Sequence, residues 1–259
     1  MRTPLIAMLS GVLASLLFAG TASAGIVERS GPAPTGRTAQ TGNPIYKTGK
    51  LELKECKEQR VLPNDLDSSR VYLEFLMDCL NESWGYQFAK AKLPFSKPRF
   101  ETISRAGRPT ACGRFPKGAQ ALYCPLDKKI TFLLNPGILS ASTEIFLLQV
   151  MAHEYGHHVQ QLSGIMGIVY NRKYRSEKAF LADIRKVELQ AECLSGAFIG
   201  SVWQSLGRPQ SDFTYVLGAA RSTASHGRAV NIAYWLKRGF DQEGPGACDT
   251  FSAPASKVS

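Results

Sequence analysis

The segment VMAHEYGHHVQQL, residues 150–162, places three of the chain's four histidines beside one glutamate. Its HEYGH part fits the pattern H-E-x-x-H. On a helix of about 3.6 residues per turn, His153 and His157 lie on one face a turn apart, so both imidazoles can reach one zinc ion. Glu154 flanks that face and is expected to activate a zinc-bound water without binding the metal itself. His158 points about 140° away from His153 and is not a predicted ligand.

A second segment, VELQAEC at 187–193, supplies acidic side chains. Its helix shows an apolar stripe that Glu188 and Glu192 interrupt, and a buried carboxylate needs a metal, a cation or strong hydrogen bonds. Two histidines and one glutamate leave a fourth zinc position open, which is the catalytic pattern. We predict Glu188 as the ligand and Glu192 as the acceptor for a ligating histidine's free N–H. The reverse assignment stays open, because both residues lie on the same helical face.

The elements that must position these residues are mostly helical. Apolar residues recur at three- and four-residue intervals; the predicted helices run from about Ser68 towards Pro94, from Ser142 or Thr143 to Gly164, from Ser176 to Leu206, and over 212–221 and 228–238. Two β-prone runs, RFETIS and KITFLL, predict a small sheet. KITFLL could be an edge strand on which an extended substrate pairs, or an ordinary buried strand. The predicted class is mainly α with a small β-sheet (α+β).

The first 24 residues predict a signal peptide. Arg2 precedes an apolar run, and Ala-Ser-Ala at 22–24 forms a small-x-small cleavage site. No later stretch is long and apolar enough to span a bilayer, so we expect an exported protein in the periplasm or the medium. Residues 25–50 are predicted as a flexible leader, 51–251 as the catalytic domain and 252–259 as a flexible tail.

Cysteines and charge fit export. An even number of cysteines in an exported chain predicts disulfides; the six are Cys56, Cys79, Cys112, Cys124, Cys193 and Cys248. Sequence cannot choose among about 15 pairings, and the local pair Cys112–Cys124 is the first expectation. The net charge of +10 is interpreted first as solvated surface charge and second as an attraction to anionic envelope surfaces, and no nucleic-acid motif is present.

Several segments together resemble the bacterial putative neutral zinc metallopeptidase family. The segments are HEYGHHVQ, ELQAECLSGAF, HG at 226–227, YWLKRGF at 234–240, CDTF at 248–251 and the upstream CG…YCP at 112–125. The resemblance implies a zincin-like fold, one zinc ion per chain and peptidase activity. It also implies zinc ligation by His153, His157 and Glu188, with Glu154 as the base. Glu192 departs from the family pattern, which usually has aspartate there.

Peptide hydrolysis also needs a donor for the developing oxyanion. His226 ranks first because it belongs to the resembling segments, although it could be a turn residue at a helix start; Tyr155, Tyr170 and Tyr174 are alternatives. Two other functions remain open. One is a zinc-binding envelope protein without proteolytic activity, and the other is a cationic envelope-binding module with structural histidines. Zinc-dependent hydrolysis of a non-peptide amide is a third.

Overall fold

The computed structural model describes residues 30–52 and 55–259. The predicted signal peptide and the first residues of the leader lie outside the described residues. The described α-helices are α1 (Gly36–Thr41), α2 (Leu66–Lys90), α3 (Pro136–Ala141), α4 (Glu144–Leu162), α5 (Ile165–Tyr170), α6 (Glu177–Leu206), α7 (Gln210–Ala219) and α8 (Ala229–Gln242). The described strands are β1 (Arg99–Ile103), β2 (Pro109–Thr110), β3 (Gly113–Arg114), β4 (Ala121–Cys124) and β5 (Lys129–Leu133). This confirms a mainly helical fold with a small β-sheet.

Helix α2 forms much of the core. Its N-cap, Asp65, accepts a hydrogen bond from the Ser68 N–H at 2.6 Å, which satisfies one of the free donors of the first turn. The apolar stripe read from the sequence is buried, with Leu73, Leu76, Leu80, Trp84 and Phe88 each at most 1% exposed. The predicted helix is confirmed.

The main sheet has three strands in the order β1-β5-β4. β1 pairs with β5 in parallel and β4 pairs with β5 antiparallel, so RFETIS and KITFLL both form strands as predicted. However, β5 is the central strand, because both of its sides are hydrogen-bonded. The suggestion that KITFLL offers an edge to a substrate is therefore wrong, and the edge strand that packs on α4 is β4.

Helices α4 and α6 carry the two candidate metal-binding segments and cross at a glycine. Thr143 caps α4, and Ser176 caps α6, which ends at Gly207 in the left-handed region with φ +66°. At the crossing, a Cβ atom on Gly156 would lie 2.9 Å from the carbonyl oxygen of Ala191. Only glycine permits so close an approach, and this approach lets histidines of one helix reach glutamates of the other.

The described part of the predicted leader, residues 30–50, and the predicted tail, residues 252–259, pack on the fold instead of lying free of it. In the leader, Asn43, which caps the short helix Pro44–Lys47, and Ile45 within that helix are fully buried. Asn43 donates to the carbonyl oxygen of Ser163 at 2.8 Å. In the tail, Trp235 donates to the carbonyl oxygen of Lys257 at 2.8 Å. Composition misled the prediction because a few buried residues and side-chain hydrogen bonds anchor these polar segments.

Three disulfides brace the described residues and leave no described cysteine free. They join Cys112 to Cys124, which was the first expectation, and also Cys56 to Cys79 and Cys193 to Cys248. The pair Cys112–Cys124 fastens the end of β4 to the turn between β2 and β3. None of the described helices combines the length and apolar character needed to cross a bilayer.

Candidate metal centre

Two imidazoles of α4 and one carboxylate of α6 converge. The Nε2 atoms of His153 and His157 lie 3.3 and 3.1 Å from Oε2 of Glu188. One donor atom from each of the three residues can be chosen so that all lie within 4.8 Å of one another. Their side chains are only 10%, 10% and 14% exposed. The helical spacing of the two histidines therefore places them as the sequence pattern predicts.

The second ring nitrogen of each imidazole, Nδ1, faces a polar side chain. Nδ1 of His153 lies 3.2 Å from Oε1 of Glu192, a close ion-pair contact whose angles fall short of a well-aligned hydrogen bond. Nδ1 of His157 lies 2.9 Å from Oε1 of Gln160. Glu192 also accepts a hydrogen bond from Gln149 at 3.1 Å. Glu188 thus faces Nε2 of both histidines, whereas Glu192 faces Nδ1 of His153.

The donor set fits a zinc ion. Burial opposes the charge on Glu188, but His157 and His153 outweigh it and hold the pKa of this carboxyl well below its usual range. Burial likewise opposes protonation of His153, yet Glu192 and Glu188 hold its pKa well above the usual value. A buried cluster that keeps a carboxylate ionised and draws positive charge onto its imidazoles suits a cation. Two nitrogens and one oxygen, with a cleft beside them, match catalytic zinc sites.

Glu154 lies beside the three residues and lines the same cleft, with 9% of its surface exposed. Burial raises the pKa of this carboxyl, and the nearby backbone of Tyr123 on β4 acts in the opposite direction. Strand β4 therefore lies close to the Glu154 carboxyl.

His226 also reaches this centre. Its Nε2 lies 3.2 Å from Oε2 of Glu188, its ring stacks on that of His153 with centroids 5.7 Å apart, and its side chain is 36% exposed. A bridge between Thr223 and Gly227 closes the turn that carries it. Ser225 and Thr223 place hydroxyl oxygens 3.0 and 3.2 Å from its Nδ1. His226 therefore belongs to the centre as well as to a turn before α8.

His158 is turned away, as predicted. Its Nε2 donates to the carbonyl oxygen of Ser96 at 2.7 Å, so its Nδ1 accepts from the hydroxyl of Tyr123 at 3.0 Å. Burial lowers the pKa of His158 to about 4, so this histidine is neutral at ordinary pH. His158 contributes to the packing of α4 against β4.

The three tyrosines considered from the sequence differ in position. The hydroxyl of Tyr155 is buried and donates to Asn81 at 2.8 Å. The hydroxyl of Tyr174 contacts Asp183 at 3.2 Å and the carbonyl oxygen of Val169 at 3.1 Å. Tyr170 alone of the three lines the cleft, and it is 51% exposed.

The cleft has a wall that sequence reasoning missed. Strand β4 and the following Pro125 form one side, and Met166 and Tyr170 of α5 form the other. The cleft measures about 190 Å³, enough for a side chain or two but not for a large ligand. The CG…YCP segment was noticed in the sequence, but its contact with α4 depends on long-range packing. The roles of Gln160 and Gln149 were also missed.

A family model described as "Putative neutral zinc metallopeptidase" matches residues 48–223, which include the HEYGH and ELQAEC segments. The chain is 27% identical over 227 residues to the uncharacterized protein YpfJ of Escherichia coli K12, covering 79% of this chain and 78% of YpfJ. It is 30% identical over 177 residues to the uncharacterized proteins Mb2605 of Mycobacterium bovis and Rv2575 of Mycobacterium tuberculosis H37Rv, covering 56% of this chain and 59% of each. No solved structure matches significantly. Because the family model covers most of the sequence, this chain belongs to the putative neutral zinc metallopeptidase family.

Proposed function

We propose that this protein is an exported zinc metallopeptidase that hydrolyses peptide bonds. The observation that carries the proposal is the convergence of His153, His157 and Glu188, with Glu154 beside them on an open cleft. A protein that only stores or senses zinc has no need of a buried carboxylate held next to the donor set. The proposed fold is zincin-like, since a helix bearing HEYGH packs against an edge strand.

His153, His157 and Glu188 would hold the metal, with Glu192 and Gln160 behind the imidazoles. When bound, zinc would supply Lewis-acid polarisation of the scissile carbonyl and would lower the pKa of a water towards about 7. Glu154 accepts the proton of the attacking water and later delivers it to the leaving amine. Burial raises its pKa, which makes the protonated form needed for delivery easier to reach.

The substrate backbone is proposed to lie along β4. The Leu133 N–H donates to the carbonyl oxygen of Gln120 at 2.8 Å. Because hydrogen-bonded and open positions alternate in an antiparallel pair, the backbone groups of Leu122 then face β5. Those of Ala121 and Tyr123 face the open edge. The Tyr123 N–H lies near Glu154, so Ala121 is proposed as the residue that pairs with an extended peptide.

Export is proposed from two features. The first 24 residues carry the charged, apolar and small-residue pattern of a signal peptide. Three disulfides fit an oxidising compartment, either the periplasm or the medium. The net charge of +10 is proposed to draw the protein to anionic envelope surfaces.

His226 is proposed to donate a hydrogen bond to the developing oxyanion. We expect His226→Ala to lower kcat by about 10²–10³-fold, because one preorganised donor is lost. Zinc content should not change, since the other three residues would still hold the metal. The measurements are peptide hydrolysis kinetics and metal analysis of the same preparation. A variant that has lost its zinc would instead identify His226 as a ligand, and one with normal kcat would remove it from catalysis.

The proposed function is tested by removing the metal. The purified protein should contain one zinc ion per chain, cleave an internally quenched peptide library, lose that activity in dipicolinate and regain it when zinc is returned. Magnesium serves as the control for the added cation. Full zinc content without any peptide cleavage would favour the silent envelope protein or a non-peptide amide substrate. Little zinc, removed without effect on folding or envelope binding, would favour the cationic module.

A further inference from the structure

Two glutamines of the HEYGHHVQ and ELQAEC segments meet behind the metal centre. Gln160 ends HEYGHHVQ on α4, and Gln190 lies between Glu188 and Glu192 on α6. Both side chains are completely buried, with 0% exposed. Neither is a proposed ligand or base. Buried amides are retained where every polar atom finds a partner, so their partners show what the pair does.

The orientation of the Gln190 amide follows from its contacts. Its Nε2 lies 2.8 Å from the carbonyl oxygen of Cys248 and 2.7 Å from the hydroxyl of Tyr46. A backbone carbonyl can only accept, so the NH₂ group must face Cys248. Oε1 of Gln190 is consequently turned towards Gln160. The partners that hold Gln190 are themselves fixed, because Cys248 is bonded to Cys193 of α6 and the partly buried Tyr46 donates its hydroxyl to the carbonyl oxygen of Gln40 at 2.9 Å.

The same reasoning fixes Gln160. Its Nε2 donates to the carbonyl oxygen of Val187 at 2.8 Å and to Oε1 of Gln190 at 2.9 Å. Both partners are acceptors, so both N–H bonds of the Gln160 amide are directed towards them. Oε1 of Gln160 is left facing Nδ1 of His157 at 2.9 Å. Turning the amide over would set oxygen against oxygen twice in a buried site.

This arrangement selects one form of His157. An acceptor at Nδ1 requires a proton there, and a neutral imidazole with a proton on Nδ1 has its lone pair on Nε2. Nε2 is the atom that faces Glu188 at 3.1 Å. His153 has a different partner at this position, because its Nδ1 faces the carboxylate of Glu192.

We propose that Gln160, locked by Gln190, is a positioning residue that holds His157 as the Nδ1–H tautomer with its Nε2 lone pair aimed at the metal. The inference rests on the metal site of the proposed function but not on hydrolysis. It can therefore fail while the peptidase assignment stands, or survive if the protein binds zinc and cleaves nothing.

The decisive comparison is between Gln160→Met and Gln160→Glu. Methionine fills similar space but accepts no useful hydrogen bond from Nδ1, so zinc affinity should fall about 10–100-fold. Glutamate still accepts from Nδ1, although its second oxygen opposes the acceptors of Val187 and Gln190, so the Tm of the metal-free variant should fall while its zinc affinity stays within about threefold of wild type or becomes tighter. Affinity is measured by titrating zinc against a fluorescent chelator, and the Tm of each metal-free variant is recorded alongside.

A purely structural role for Gln160 would make zinc affinity follow the Tm of the metal-free protein in both variants. That outcome, or wild-type affinity in Gln160→Met, overturns the proposal. Gln190→Met should weaken zinc binding less than Gln160→Met, because Val187 still holds the Gln160 amide. A larger loss of zinc affinity in Gln190→Met than in Gln160→Met would contradict the proposal that Gln190 acts through Gln160.

One measurement needs no variant. In the zinc-loaded wild-type protein, long-range ¹H–¹⁵N spectra should show His157 bound through Nε2 with a slowly exchanging proton on Nδ1. Metal bound to Nδ1 of His157, or a rapidly exchanging Nδ1 proton, would overturn the proposal even if the Gln160 variants fail to fold.

Discussion

Glu154→Gln is expected to lower kcat for peptide hydrolysis by about 10²–10⁴-fold, the range for losing a general base. Glutamine has the same shape, and its amide oxygen can still face the backbone of Tyr123 beside it. It cannot accept the proton of an attacking water at neutral pH. The protein should therefore fold and bind zinc normally while it loses the chemical step.

The measurement is a proteomic cleavage profile in which envelope proteins are incubated with the wild type or with Glu154→Gln. New peptide termini should appear only with the wild type, and their sequences would show which residues enter the cleft between β4 and α5. Glu177→Gln on the exposed start of α6 is the matched control and should behave as wild type. Undiminished cleavage by Glu154→Gln would end the assignment of this residue as the base.

The sequence predicted the parts of this site that depend on local periodicity. His153 and His157 share a face because the α-helix repeats about every 3.6 residues, and that relation needs nothing outside α4. The helices α2 and α6 were equally readable, because their apolar residues repeat every three or four positions and caps stand at their ends. The family resemblance added His226, which lies about 70 residues from the metal-binding helix and which no local pattern connects to it.

Relations between distant segments were not readable. KITFLL pairs with RFETIS in parallel across some 30 residues of intervening chain, so its central place in the sheet could not be deduced from its own composition. The leader was misjudged for a similar reason, since Asn43 is anchored by a carbonyl oxygen at Ser163. Gln160 and Gln190 looked like ordinary polar residues in the sequence. Only the structure shows that their side chains are hydrogen-bonded to each other.

Helical periodicity alone cannot choose between Glu188 and Glu192 as the metal ligand. Both residues lie on one face of α6, so helical geometry treats them alike. The register between the two helices decides, and the contact of Gly156 with Ala191 sets that register. With this contact in place, Glu188 meets both Nε2 atoms, and Glu192 reaches only Nδ1 of His153.

The pair Glu188→Gln and Glu192→Gln turns this difference into an experiment. Each variant replaces one carboxylate by an amide of the same shape, on the same helix and one turn apart. Glu192→Gln should weaken zinc binding by about 10–100-fold, which is typical for a residue that orients a ligand. Glu188→Gln should weaken it further, because it removes one of the three proposed donors and the anion that offsets the charge of the metal.

Chelator competition on both variants, with kcat measured at saturating zinc, separates the two roles. Added zinc should restore a large part of the activity of Glu192→Gln, since its three donors are intact and only their orientation has loosened. Glu188→Gln should stay impaired even when loaded, because a weaker neutral donor changes the electrostatics that act on the scissile carbonyl. The reverse order of affinities would make Glu192 the ligand and would place the metal on the other side of His153.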